Sequence, residues 1–261
     1  MANFDTYRDK YETVRLDRQD GILEVTFHTE GGPLQWGFLP HREFGEAFHD
    51  IGSDRENRIV ILTGTGNEFS GPPASKFTGG APAQDWAPLH WEGRELLFNL
   101  LRIEVPIIAA INGPAIRHVE IPLLCDIVLA ADHATFQDSA HFVNGLVPGD
   151  GHHIVLPLLM GWNRGRYFLL TGQTLDAPEA LNLGLVNEVL PADQLLPRAH
   201  ELAQQLAAHP TLNLRYTRIA LTLHLEQVLR SVLGYGLALE GLAANVPTAD
   251  DPTTQSWSDN R

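Results

Sequence analysis

The sequence predicts an α/β fold with a β-rich first half and a helical last third. Three observations carry that reading. The runs 58–62, 106–111 and 126–131 are compact and almost wholly apolar, the composition of strands buried on both faces. Segments dense in Gly and Pro punctuate them, at Gly31-Gly32-Pro33, at Gly64-Thr65-Gly66 and across 71–88. From His153 onward, apolar residues recur at the spacing of amphipathic helices.

Taken in order, 22–29 alternates and is rich in branched and aromatic residues, as a strand requires. Phe44, Ala47, Phe48 and Ile51 share one face of a helix over 41–52. The strand at 58–62 follows, then a loop over 71–88 whose Gly, Pro, Ala and Ser content supports no regular element. A helix is predicted from Trp91 to Arg102, strands at 106–111 and 126–131, and a further short one at 134–137. Helices come next at 164–170, stopped by Thr171-Gly172, and at 177–183, stopped by Gly184. Long amphipathic helices are expected over 193–208 and 214–229. The polar tail from Val246, with two prolines, is expected to fray. No repeat and no linker divides the chain, so 1–200 is read as the core and 201–261 as a helical region and tail of the same unit.

Composition narrows the function. The hydrophobic content of 44% suits a globular core. No apolar run approaches the ~20 residues of a membrane-spanning helix, and the polar N-terminus lacks a signal-peptide core. A cytoplasmic address is the expectation. Cys125 is the single cysteine, so neither an internal disulfide nor a thiolate metal cluster can form within one chain; its apolar neighbours mark it as a buried small hydrophobe. The net charge of −14 argues against nucleic acid and anionic membranes as partners.

An ordered set of segments from about residue 11 to residue 245 resembles the crotonase (enoyl-CoA hydratase/isomerase) superfamily. The strand at 58–64 followed by Asn67-Glu68-Phe69-Ser70 belongs to it, as does the run 106–113 ending in Asn112-Gly113. Cys125-Asp126-Ile127-Val128, Val147-Pro148-Gly149 with Gly151, Leu170-Thr171-Gly172 and Gly184-Leu185-Val186-Asn187 continue it. The resemblance implies a crotonase (ClpP-like) spiral of ββα units with a C-terminal helical trimerisation region, assembled as a homotrimer or a dimer of trimers.

The departures from the family are more informative than the matches. Crotonases stabilise a thioester enolate with two backbone N–H groups, one from each of two loops. By the alignment, Pro73 falls at the first donor position, and proline has no N–H to give. In the second loop Arg117-His118-Val119 stand where glycines are usual, and the loop is one residue shorter. Trp36, Asn112-Gly113-Pro114, His118-Val119-Glu120-Ile121-Pro122, His141-Phe142 and 163–173 are similar to the β-diketone hydrolase branch typified by 6-oxocamphor hydrolase. That branch implies hydrolytic cleavage of a C–C bond in a small-molecule diketone, in particular a bicyclic non-enolisable 1,3-diketone, by a retro-Claisen reaction giving a keto acid, with no cofactor. An acyl-CoA hydratase, isomerase or hydrolase of the same fold, or a non-catalytic relative, is the alternative.

Such a cleavage needs a base for water, donors for the oxygen that gains charge, and a proton for the departing carbon. His141 lies four residues before the Gly of the Gly-x-x-Pro-Gly turn, where many crotonases carry a catalytic glutamate. An imidazole can exchange protons near neutrality. Asp150 follows that turn, placed to orient the imidazole or to cap a helix. Glu240, on the helical tail, is the third catalytic candidate. His118 and Trp36 offer ring N–H groups in place of the missing backbone donors. His41 is a further substrate-binding candidate near Trp36, or simply begins a helix, and Glu120 is similar in position to another catalytic carboxylate of the family. His152-His153 looks like a metal pair, but adjacent residues on a helix point in divergent directions, and no metal is expected. Trp86 and Trp91 are read as lining an apolar cavity or as loop anchors.

Overall fold

Alternation along the strands decides which layer each residue joins. Ile59 and Ile61 project to one face of the sheet with Ile108, Ala110, Leu129 and Ala131, and pack against Leu195, Ala199 and Ala203. Val60, Leu62, Ile107, Ala109, Val128 and Ala130 project to the other face, into the larger core. Both faces are covered, which is why these runs are continuously apolar.

The computed structural model describes residues 2–71 and 83–245. A short helix α1 (Phe4–Tyr7) precedes β1 (Val14–Gln19) and β2 (Ile22–Phe27); α2 (Phe38–Ser53), β3 (Ile59–Gly64), α3 (Ala83–Arg102) and β4 (Ile107–Ile111) follow. Next come α4 (Glu120–Leu123), β5 (Ile127–Ala131), β6 (Thr135–Phe136), a 3-10 turn (Phe142–Asn144), α5 (His152–Met160) and α6 (Trp162–Thr171). The chain closes with β7 (Leu175–Asp176), α7 (Ala177–Asn182), β8 (Glu188–Leu190), α8 (Ala192–Ala207) and α9 (Thr211–Ala243). The main sheet runs β1-β2-β3-β4-β5-β8. Its first pair is antiparallel and the rest are parallel. A second small layer joins β6 to β7 and is extended by single bridges through Ser70, Ala115 and Phe136.

Three departures from the expected elements have physical causes. The strand β1 was not anticipated, because Arg15, Asp17 and Arg18 dilute its apolar pattern; its outer face is solvated. The helix α3 begins at Ala83 rather than Trp91 and carries Pro88 inside it. Trp86 Nε1 donates to the Leu237 carbonyl at 3.0 Å and His90 Nε2 sits 3.1 Å from the Gly234 carbonyl, so contacts with α9 outweigh local propensity. These bonds make Trp86 an anchor, while Trp91 is exposed. The helix α9 runs on past Leu229 through Gly234 and Gly236. A side chain at Gly236 would collide with the His153 ring and the Gly149 carbonyl, so glycine here serves close packing rather than helix ending.

Position 200 falls inside α8, and the expected fraying of the tail from Val246 lies outside the described residues. Among the described residues, no helix is long and apolar enough to cross a membrane. Cys125 is buried, and burial raises its thiol pKa, as for an inert core cysteine.

Candidate active site

The turn that carries His141 is built by Asp138. Its Oδ1 accepts the backbone N–H groups of Ala140 at 3.1 Å and His141 at 3.2 Å, and lies 2.8 Å from His141 Nδ1. The ring is thereby aimed with Nε2 toward Asp150 Oδ2 at 3.2 Å and Glu240 Oε1 at 3.5 Å. Asp138 is the residue that sequence reading missed. Its spacing of three from His141 was the available signal, since an Asp so placed can hold both a turn and the following ring.

Asp150 does not cap α5; Gly151 does, at φ 117°, with no side-chain capping bond. The Asp150 carboxylate is therefore free to serve three imidazoles. Besides His141 it meets His152 Nδ1 at 2.7 Å and His118 Nδ1 at 3.5 Å. Expected to orient His141 from behind, Asp150 instead faces Nε2, and the orienting position at Nδ1 belongs to Asp138. Glu240 reaches the cluster because α9 passes close to the Pro148-Gly149 turn, where a side chain at Gly149 would strike the Gly236 carbonyl. Further along, Arg218 anchors α9 to Asp126 at 2.7 Å, beneath the sheet's strand ends.

At the other end, His118 occupies the left-handed backbone region at φ 47°. Such a conformation costs a non-glycine residue about 1–3 kcal/mol, although His tolerates it better than most. The loop thus keeps a glycine-like backbone while carrying an imidazole. Its Nδ1 lies 2.7 Å from Glu120 Oε1, and Nε2 is the ring atom turned away from that carboxylate. Trp36 lies against it with ring centroids 4.1 Å apart and the planes tilted by 34°. His41, in the first turn of α2, lies 5.6 Å from the His118 ring and 3.1 Å from Glu92. The structure therefore brings all six sequence candidates into two touching groups, and Glu120 joins them. Pro73 lies outside the described residues.

Burial and paired charge set the electrostatics. Burial disfavours the His141 imidazolium, but the charge of Asp150 and hydrogen bonds to Asp138, Asp150 and Glu240 overcome it and hold its pKa well above 6.5. Burial also opposes the charge of His152, yet Asp150 and Glu120 push its pKa up to about 10. Against the same penalty, the charges of His152 and His141 hold Asp138 at about 2, and those of His141 and His152 hold Asp150 well below its ordinary range. For Glu240 burial wins over its bond to His141 and raises the carboxyl. The His152-His153 pair diverges: His153 turns away to the Pro148 carbonyl at 2.9 Å, and burial lowers its pKa.

Asp138-His141-His152, His118-Glu120-Asp150 and His141-Asp150-Glu240 each bring their donor atoms within 4.8 Å of one another. That proximity would admit a cation, and it is equally what paired imidazoles and carboxylates require; the ion pairs above already satisfy most of these atoms. A groove of about 280 Å³ beside the His41 end is lined by Phe38, Leu39, Arg42, Pro88, Leu89 and Glu92. A larger one, about 660 Å³, is lined by Asp17, Glu24, Arg58 and His200 and contains no member of the cluster.

The fold has a clear family. The enoyl-CoA hydratase/isomerase family model matches residues 18–239, and the chain belongs to that family. Among solved structures it is similar to a β-diketone hydrolase from the cyanobacterium Anabaena sp. PCC 7120 bound to (S)-3-oxocyclohexyl acetic acid. The two are 48% identical, covering 92% of this chain and 96% of that one, with a TM-score of 0.89. An enoyl-CoA hydratase/isomerase from Mycobacterium paratuberculosis is 26% identical over 91% of this chain and 96% of that one, with a TM-score of 0.84. A carnitinyl-CoA dehydratase from Salmonella arizonae is 34% identical over 201 residues, covering 75% of this chain and 74% of that protein.

Proposed function

We propose that this crotonase-family enzyme hydrolyses a C–C bond of a β-diketone, with a compact bicyclic 1,3-diketone as the preferred class. The observation that carries the reading is the buried meeting of two side-chain groups at Asp150. Proton-handling groups stand on one side and ring N–H donors on the other. The 48% identity to a β-diketone hydrolase supports it.

In this reading Glu240, made more basic by burial, takes a proton from water as the water oxygen bonds to one carbonyl carbon. His118 Nε2 and Trp36 Nε1 donate to the oxygen that gains charge. With Nδ1 turned to Glu120, Nε2 donates only when the ring carries both protons. Collapse of the adduct breaks the C–C bond and leaves its electron pair on the departing carbon as an enolate. His141, resting as an imidazolium, protonates that carbon and is recharged from Glu240 across 3.5 Å. His141 was expected to take the proton from water; its surrounding carboxylates move it to the donating side of the cycle. Diketone and water are consumed and a keto acid is released.

Incubation with bicyclic and linear 1,3-diketones, followed by mass spectrometry, tests the proposal. A product heavier by one water is expected, and no turnover across the panel would overturn it. The carnitinyl-CoA dehydratase similarity favours a second reading, acyl-CoA hydration. Micromolar acyl-CoA binding in calorimetry would favour that reading.

The same proposal includes self-assembly and a cytoplasmic address. Phe142, Val143, Leu158, Trp162, Tyr167 and Leu170 are exposed on the adjoining 3-10 turn, α5 and α6, an apolar surface suited to a second copy of the chain. Sedimentation velocity is expected to show a trimer or hexamer; a monomer at micromolar concentration would overturn it.

A further inference from the structure

Of the wholly buried ionisable groups in the cluster, His152 has no part in the reaction as written. Its Nδ1 lies 2.7 Å from Asp150 Oδ1. Its Nε2 lies 3.1 Å from Glu120 Oε2, an ion-pair contact off the ideal hydrogen-bond line. The remaining oxygen of each carboxylate faces a different end of the site. Asp150 Oδ2 is 3.2 Å from His141 Nε2, and Glu120 Oε1 is 2.7 Å from His118 Nδ1.

We propose that His152 is a positioning residue that ties the proton-handling end of the site to the oxygen-binding end, by holding Asp150 and Glu120 at one fixed separation. What reaction is thereby positioned rests on the β-diketone reading above; the tie itself does not.

The chain from His118 through Glu120, His152, Asp150 and His141 to Asp138 alternates imidazole and carboxylate without a break. Without the central ring, two buried carboxylates would face each other across an empty space, which costs far more than either paired charge. The ring meets charge from several elements: Glu120 on α4, Asp150 on its own turn, and Asp138 on the loop before the 3-10 turn. The His141 ring lies 5.0 Å away and the His118 ring 6.3 Å away. Glu240, on α9, meets His141 rather than His152. The elevated pKa of His152, about 10, keeps both its nitrogens protonated, so Nδ1 bonds Asp150 while Nε2 presents its charge to Glu120. A buried imidazolium beside Asp150 also shares that carboxylate with His141, which tempers how tightly His141 holds its own proton.

Three variants of the full chain separate this role from simple space filling. His152→Asn keeps a donor near Asp150 and loses the one toward Glu120. His152→Gln does the reverse, and His152→Leu loses both. Imidazole titrations followed by NMR require no turnover. In His152→Leu the His141 midpoint is expected to rise by about one pH unit, because a neighbouring positive charge is gone. The Asn variant should disturb the His118 titration more than that of His141, and the Gln variant the reverse. On a diketone that the wild type cleaves, His152→Leu should lower kcat about tenfold, the scale on which loss of an orienting hydrogen bond acts. Its pH-rate profile should move with His141. If His152→Leu is folded and leaves both titrations unchanged, the proposal fails. If His152→Leu does not fold, the Asn and Gln variants decide, and equal effects of those two on both rings would also overturn it. Titrations that move as expected in a protein that cleaves no diketone would leave the tie standing and remove the β-diketone reading.

Discussion

Around His141 three carboxylates crowd a single ring, whereas around His118 one carboxylate holds one nitrogen at close range and an indole covers the face. The first arrangement favours the imidazolium, because each nitrogen of the His141 ring faces a carboxylate. The second ties Nδ1 to Glu120 and sets an aromatic wall beside the ring. Two imidazoles of identical chemistry are thus given different electrostatic settings by what surrounds them. The loop at Arg117-His118-Val119 presents its imidazole from a left-handed backbone position.

The comparison can be broken most severely at the proton-handling end. His141→Ala should lower kcat for diketone cleavage by about 10²–10⁴, measured in steady state; an unchanged rate would remove His141 from the mechanism. Glu240→Gln should cost about 10²-fold and abolish the acid limb of the pH-rate profile, since the amide cannot take a proton from water. A surviving acid limb would transfer the base role to another carboxylate. At the oxygen-binding end, His118→Ala should cost up to about 10²-fold in kcat/KM while leaving in place the acid limb of kcat that belongs to Glu240. A shift of that acid limb would show that the two ends are not divided as drawn. Asp138→Asn has the smallest expected effect on rate, about tenfold, because the turn and the Nδ1 contact persist while the charge is lost.

Stability should depend on pH through the same groups. Asp138 is held at about 2, below its ordinary 3.8, so its stabilising contribution is complete above about pH 4. It is lost as pH falls through about 2. His152 is held near 10, above its ordinary 6.5, so its contribution is complete below about 6.5 and lost as pH rises through about 10. Thermal melts of the wild type should therefore show a plateau between these limits. In His152→Leu the alkaline loss should be smaller; an identical alkaline fall would assign it to other groups.

Much of the scaffold was legible in the residues. The apolar runs that became β3, β4 and β5 could lie only in a covered sheet, because nothing in them tolerates water on either face. Helix boundaries were read less well where Pro88, Gly234 and Gly236 act through packing between α3, α9 and the Pro148-Gly149 turn. At the site, His141, Asp150, Glu240, His118, Trp36 and His41 were marked by residue type and resemblance. Asp138 and His152 were not, since an aspartate three residues before a histidine, or one histidine of an adjacent pair, has many ordinary uses.

By itself, then, the sequence determined the α/β layering, the family, and the placing of bulky side chains in the loop at Arg117-His118-Val119. Those depend on local composition and order along the chain. Only the tertiary structure decided which nitrogen of which imidazole meets which carboxylate. Some of these partners are two or three residues apart, yet the cluster closes only through longer reaches: His118 to Asp150, Glu120 to His152, and His141 to Glu240 on α9. Charge states in a buried cluster follow from ångström separations rather than from residue identity.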